Sequence, residues 1–253
     1  MPELFIEPLT DRQTCFKCHK TVTGKKKLSK CAKCHAITYC GRDCQEADFA
    51  RHKWNCVPVM VTEIPGKGRG LVAAKDIKMG EVIFTDKPVT TKHKCFTSEA
   101  EVINDFNTFK KNFMPILEQV KKLPSEAVQQ FEELPVPDVF LDCENSFILT
   151  YLYFLGNWPN YVTGHSHMLS LNFALVNHSC VPNVTQNAQK PDEEYNITLR
   201  AIKDISRGEE ITISYLNEEF ISKFGSICQS RREKLKNALG FDCNCPFCTE
   251  NPY

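Results

Sequence analysis

Apolar positions in this chain fall into stretches of different period. Leu71-Val72-Ala73-Ala74 and the run Asp76 to Phe84, which carries Ile77, Val82 and Ile83, predict two short strands joined by a turn. The turn-rich segment Pro65-Gly66-Lys67-Gly68-Arg69-Gly70 leads into them. Between residues 98 and 134 the period becomes helical: Val102, Ile103, Phe106, Phe109 and Phe113 follow a capping box of Ser98 and Glu101. Pro115 and Pro124 break that stretch into separate helices. Residues 139 to 156 are apolar and aromatic enough to be buried, and of helix and strand the reading favours helix. From Leu169 onward β-type runs return, Ile197 to Ile202 and Ile211 to Tyr215, separated by the turn Ser206-Arg207-Gly208. Arg231 to Leu239 reads as a last short helix capped by Gly240. The predicted fold class is α+β, a mainly β unit with a helical insert.

Composition adds a second unit. A chain of 253 residues accommodates a small module beside a larger domain. Lys plus Arg and Asp plus Glu both total 31, so no bulk charge draws the protein to nucleic acid or membrane. The longest apolar run, Phe147 to Leu155, is too short for a membrane span, and the first twelve positions resemble no secretory leader. The 14 cysteines therefore read as metal ligands in a reducing compartment, the nucleus or the cytoplasm.

Their spacing supports this. Cys15-x-x-Cys18, Cys31-x-x-Cys34, Cys40-x-x-x-Cys44 and His52-x-x-x-Cys56 supply eight ligands, enough to close two tetrahedral zinc sites of structural type. The segment has few apolar residues of its own (Ile37, Tyr39, Phe49, Trp54), so metal binding contributes much of its folding free energy. A second cluster, Cys243-x-Cys245-x-x-Cys248, needs a fourth ligand from elsewhere, for which Cys180 is the candidate. Cys95, Cys143 and Cys228 have no ligand-spaced partner and read as small core residues.

Four ordered motifs resemble the successive signatures of SET domains. They are Lys67-Gly68-Arg69-Gly70-Leu71, Asn177-His178-Ser179-Cys180, Gly208-Glu209-Glu210-Ile211-Thr212-Ile213-Ser214-Tyr215, and Phe241-x-Cys243-x-Cys245-x-x-Cys248. With the N-terminal zinc module, which looks like a MYND finger, the chain is similar to the SMYD group of protein lysine methyltransferases from about Cys15 to Cys248. The resemblance implies an N-terminal segment 1–14, a MYND-type finger 15–56, a SET domain 62–217 with a helical insert about 98–165, and a post-SET zinc-binding segment 218–253. The implied activity is methyl transfer from S-adenosylmethionine to a lysine of a histone or non-histone protein, with three zinc ions as structural cofactors.

Carried over motif by motif, the resemblance implies that backbone around Lys67, Gly68 and Arg69 wraps the methionine end of the cofactor. Asn177 and His178 would hold its polar and adenine parts, and Phe241 would lie against the adenine. Tyr215 matches the catalytic tyrosine, beside the cofactor. The residue types suit these tasks: glycine lets backbone approach a ligand closely, an Asn amide offers donor and acceptor, and an aromatic face supplies apolar contact. Asn145-Ser146-Phe147 resembles a further cofactor-side segment, but a helix N-cap explains it equally, and it stays outside the core site.

Two departures bear on inheritance. The zinc module stands wholly before Lys67, the order of arthropod-type members. The sequence also ends five residues after Cys248, without the helical-repeat domain that covers the cleft in several relatives, so the expected cleft is more open or is covered by a partner. Related MYND modules bind proline-containing peptides, and here Gln45 and Trp54 are the candidate contacts, Trp54 reading equally as module core. Lys25, Lys26, Lys27, Lys30 and Lys33 form a basic run suited to phosphate, although so short a run is more often a solvated loop. The alternative to an enzyme is a MYND-centred scaffold or transcriptional co-repressor with weak or no methyltransferase activity.

Overall fold

The structure, a computed structural model, describes residues 13–23, 27–53, 56–86, 89–90, 168–189, 196–216 and 227–250, with single positions at 122, 125, 128, 129 and 221. The predicted helices within 98–134 and 139–156 fall almost wholly outside these residues, as do Trp54, Cys95, Cys143 and Asn145. Among the described residues no helix is long and apolar enough to cross a membrane.

The N-terminal module pairs strands β1 (Ser29–Lys30) and β2 (Thr38–Tyr39) antiparallel and follows them with helix α1 (Arg42–His52). Its centre is small and partly polar. Tyr39 is fully buried and donates its hydroxyl to Asp48 Oδ2 at 2.8 Å. Arg51 donates to Asp48 Oδ1 and lays its guanidinium over the Phe16 ring, 4.5 Å from the centroid. Phe49, one of the few apolar residues of the module, is 60% exposed, and Phe16 packs in the core. Asp48 and His52, one helical turn apart, occupy the inward face of α1, and Phe49, one residue past Asp48, is rotated about 100° away from it.

The second unit consists of small β-sheets around one apolar core. Strand β3 (Val59–Ile64) pairs antiparallel with β4 (Gly68–Ala73), from Val59 opposite Ala73 to Ile64 opposite Gly68. Strand β5 (Val82–Asp86) lies at the edge of a three-stranded antiparallel sheet with β10 (Asn196–Ala201) at its centre and β9 (Val184–Gln189) beyond it. Short β6 (Val89–Thr90) pairs with β7 (Met168–Leu169), and β8 (Asn177–His178) lies parallel to β11 (Thr212–Ile213). Leu71, Ile77, Leu199, Ile205 and Ile211 are the largest fully buried side chains of this core.

The two strands expected around residues 71–84 form, but not as partners. β4 pairs with β3, β5 pairs with β10, and the intervening loop is fastened through a bridge between Ile77 and Ile205. Ile77 looked like a strand residue because it is apolar; it is a core plug on a loop. Strands β3 and β9 were not anticipated.

Helix α2 (Leu171–Ala174) is capped by Ser170, whose side chain accepts from the Phe173 amide at 3.2 Å and donates to the buried Asp86 carboxylate. Helix α3 (Cys228–Leu239) begins earlier than predicted and ends as predicted: Gly240 adopts a left-handed φ of 74° and returns its N–H to the Lys236 carbonyl. Helix α4 (Pro246–Glu250) closes the described chain. The architecture is α+β, mostly small sheets with some helices.

Candidate active site and zinc centres

The paired cysteines converge into three groups whose ligand atoms all lie within 4.8 Å of one another: Cys15, Cys18, Cys40 and Cys44; Cys31, Cys34, His52 and Cys56; and Cys180, Cys243, Cys245 and Cys248. The first and third ligand pairs of the module thus share one site, and the second and fourth share the other. A tetrahedron of sulfurs about 2.3 Å from zinc has edges of about 3.8 Å. The separations fit that figure: 3.7 Å from Cys18 to Cys40, 3.8 Å from Cys31 to Cys56, and 3.6 and 3.9 Å from Cys180 to Cys248 and Cys243. His52 Nε2 stands 3.6 Å from Cys34 Sγ. Burial holds its imidazole below the usual pKa against the opposing pull of Asp48, which favours the neutral, metal-binding form. The donor chemistry and spacing suit three structural zinc ions, each site closed by four protein ligands.

Cys228 is buried beside the third group, its thiol facing the Cys248 carbonyl at 3.7 Å, and is not one of the four ligands.

A second constellation assembles around the Gly-rich turn. Between β3 and β4 the chain reverses through Gly66 and Gly68, both at positive φ, with the Lys67 amide donating to the Ile64 carbonyl at 2.9 Å. Residues 208–211 run antiparallel to β4, since Gly208 N–H reaches Ala73 O at 2.8 Å and Ile211 N–H reaches Leu71 O at 2.7 Å. This juxtaposition brings Glu210 to Lys67, whose Nζ lies 2.6 Å from Glu210 Oε2. The other carboxylate oxygen accepts from Asn177 Nδ2 at 3.0 Å, and that amide also reaches the Arg69 carbonyl at 3.3 Å. Lys67, Gly68, Arg69 and Asn177 therefore meet at one place.

Tyr215 stands just past β11. Its hydroxyl donates to the Val176 carbonyl at 2.7 Å, and its amide donates to His178 Nδ1 at 2.9 Å. Its ring packs against both the central core and the cluster around the third zinc group. Burial, with a contribution from the Glu210 carboxylate, holds the phenol above its ordinary pKa. Phe241, two residues before Cys243, places its ring 6.1 Å from His178 and 6.4 Å from Tyr215, so three rings from separate segments meet. The zinc-braced C-terminal segment thus forms one wall of the constellation.

The model of the SET domain matches residues 68–216, more than half of the chain, and that of the MYND finger matches residues 15–56. The chain belongs to the SET-domain family. As a SET protein with a MYND finger, it is similar to N-lysine methyltransferase SMYD2-B of Xenopus laevis, 26% identical over 95% of this chain and 53% of that protein. It is likewise similar to histone-lysine N-methyltransferase Smyd1 of Mus musculus, 27% identical over 92% of this chain and 47% of that one. With histone-lysine N-methyltransferase SMYD3 of Mus musculus the identity is 25%, over 91% and 51%. The chain spans about half the length of the curated relatives it matches.

Three residues important to this SET geometry were given no role in the sequence reading. Glu210 links Lys67 to Asn177; it lies inside a quoted motif, but nothing in its spacing marks it from Glu209. Asn183, buried, accepts from the Thr212 amide at 2.8 Å and donates to the Glu210 carbonyl at 2.7 Å, joining the two motif segments. Arg231 is buried on α3 with its guanidinium 4.3 Å from the Phe247 ring centroid and Nη2 4.0 Å from Cys248 Sγ. Its signal was the helical offset from Leu235, also buried, which places both on one face of α3.

Proposed function

We propose that this chain is an S-adenosylmethionine-dependent protein-lysine N-methyltransferase acting on a histone or non-histone substrate. The observation that carries the reading is Tyr215, held at both its amide and its hydroxyl beside the rings of His178 and Phe241. Membership of the SET family and the names of the relatives support it.

In this reading backbone at Lys67, Gly68 and Arg69 lies along the amino-acid end of the cofactor, and nothing stands within 4 Å of where a Gly68 Cβ would be. A zwitterionic head needs partners of both signs, which Lys67 and Glu210 supply. Asn177 and His178 line the polar and adenine side, and Phe241 offers an aromatic face. The cofactor supplies an electrophilic methyl group on a sulfonium, so the chain's task is alignment with a neutral lysine amine. Tyr215 keeps its proton because its pKa is raised, and it commits that hydrogen to Val176. Toward a substrate amine the phenol oxygen then acts as an acceptor, which orients the nitrogen lone pair.

The module is inferred to bind a protein partner, with a proline-rich peptide as the specific candidate. Gln45 and the exposed Phe49 lie one helical turn apart on α1 and form a surface for it. Lys27, Lys30 and Lys33 are the described part of the basic run that would meet phosphate. Residence is proposed in the nucleus, the cytoplasm or both.

The test is transfer of labelled methyl from S-adenosylmethionine to a total protein extract, comparing the intact chain with Tyr215→Phe after zinc and cofactor binding are verified for both. Label on proteins from the intact chain alone is expected. No label from the intact chain, with cofactor bound, overturns the reading in favour of a scaffold.

A further inference from the structure

His178 sits at the end of β8, only 4% exposed, opposite Ile213, the last residue of β11 and two residues before Tyr215. Both ring nitrogens are engaged within the protein. A backbone N–H can only donate, so in its 2.9 Å contact with Tyr215 N–H the Nδ1 atom accepts, and the ring proton lies on Nε2. That Nε2–H faces Cys180 Sγ at 3.3 Å. Cys180 belongs to the third zinc group, where a metal-bound sulfur is a thiolate and a good acceptor. The result is a short path from a metal ligand through one imidazole to the backbone of Tyr215.

We propose that His178 is a positioning residue that registers Tyr215 against the C-terminal zinc centre, its ring locked in the Nε2–H tautomer by Cys180 on one side and the Tyr215 amide on the other. With the metal bound, the thiolate fixes the ring, and the ring fixes the segment carrying Tyr215. Without the metal the strong acceptor is lost, the ring is released, and the Tyr215 amide loses its partner. Outer partners of this kind, bonded to a metal ligand, commonly tune metal affinity about 10- to 100-fold. The catalytic consequence rests on the assignment of Tyr215 proposed above; the coupling itself does not.

Two substitutions divide the path. The amide of Asn reaches roughly where Nδ1 stands, and that of Gln roughly where Nε2 stands. His178→Asn is expected to keep the Tyr215 amide protected from hydrogen exchange while weakening zinc retention at the third site about tenfold or more against a competing chelator. His178→Gln is expected to retain all three zinc ions while Tyr215 amide exchange accelerates about tenfold, the loss of one hydrogen bond. Methyl transfer should fall in His178→Gln. Wild-type behaviour of both variants in zinc retention and Tyr215 exchange overturns the proposal. Should either variant misfold, imidazole nitrogen shifts of the zinc-loaded wild-type chain decide: Nδ1 unprotonated and Nε2 protonated is required, and the opposite tautomer overturns it. Because these measurements need no turnover, an inactive chain that passes them refutes the proposed enzymatic function and leaves the positioning role standing.

Discussion

The Tyr215 hydroxyl donates to the Val176 backbone carbonyl at 2.7 Å, fastening the second residue past β11 to the residue before β8. Val176 is fully buried, so its carbonyl has little access to a water that would replace the phenol. Tyr215→Phe is therefore expected to cost about 1 to 2 kcal/mol in addition to any loss of turnover. Urea denaturation followed by circular dichroism measures this, and an unchanged midpoint contradicts it.

Gly70 and Gly68 should respond differently to alanine. A Cβ on Gly70 would stand 2.5 Å from Asn177 Nδ2 and 2.6 Å from Ile64 Cγ1, a clash with two packed side chains, whereas one on Gly68 meets nothing within 4 Å. Gly70→Ala should cost about 1 to 3 kcal/mol and displace Asn177. Gly68→Ala carries only the conformational cost of φ +72°, about 1 to 2 kcal/mol, without moving Asn177. Thermal unfolding together with the Asn177 side-chain amide resonances separates the two.

Arg231 is a buried cation beside metal-binding thiols. Burial works against its charge, but hydrogen bonds to the sulfurs of Cys248 and Cys180 outweigh that and hold its pKa raised. Four thiolates around one divalent ion carry net negative charge, which this guanidinium offsets. Arg231→Met should weaken zinc retention at the third site about tenfold or more while leaving the two module sites unchanged. Site-resolved metal exchange with cadmium reads this.

Removal of metal should unfold the N-terminal module before the SET core. The module centres on Tyr39, Phe16 and its own cysteines, too small an apolar cluster to fold it without the ions. Titration with a strong chelator should release three zinc ions per chain, with exchange protection in α1 lost while β9 and β10 keep theirs.

Acid should loosen the loop between β4 and β5. Asp204 is held below the usual carboxylate range by its hydrogen bond to Lys78 Nζ and by the Met79 amide, and Glu81 is held below it first by the Lys78 amide. A depressed folded pKa means the stabilisation is complete above the unfolded value, about 4, and is lost as pH falls through the folded value. Met79 amide exchange, corrected for its intrinsic rate, should therefore speed up in acid. Asp204→Asn should largely remove that step.

Zinc ligation was legible because each clamp is local: two or three residues between ligands suffice for a turn or helix to hold a metal edge. The cap at Gly240 and the strand runs at 197–202 and 211–215 were legible for the same reason, since each depends on a few adjacent residues. Strand β3 escaped notice because its first three residues, Val59, Met60 and Val61, are all buried, so the run shows no clean alternation. Glu210, Asn183 and Arg231 escaped because their importance lies in partners far along the chain.

By itself the sequence determined the residue types, their local spacing and the ordered motifs that mark a SET protein with a MYND finger. Tertiary structure alone decided that Cys15 and Cys18 share a site with Cys40 and Cys44 rather than with Cys31 and Cys34. It also decided that β4 pairs with β3, and that His178 stands between Cys180 and Tyr215. Local spacing constrains only neighbours within a turn or two. Which distant segments meet is settled by closure of the buried core, where Leu71, Leu199, Ile205 and Ile211 leave one compatible arrangement of the segments that carry the site.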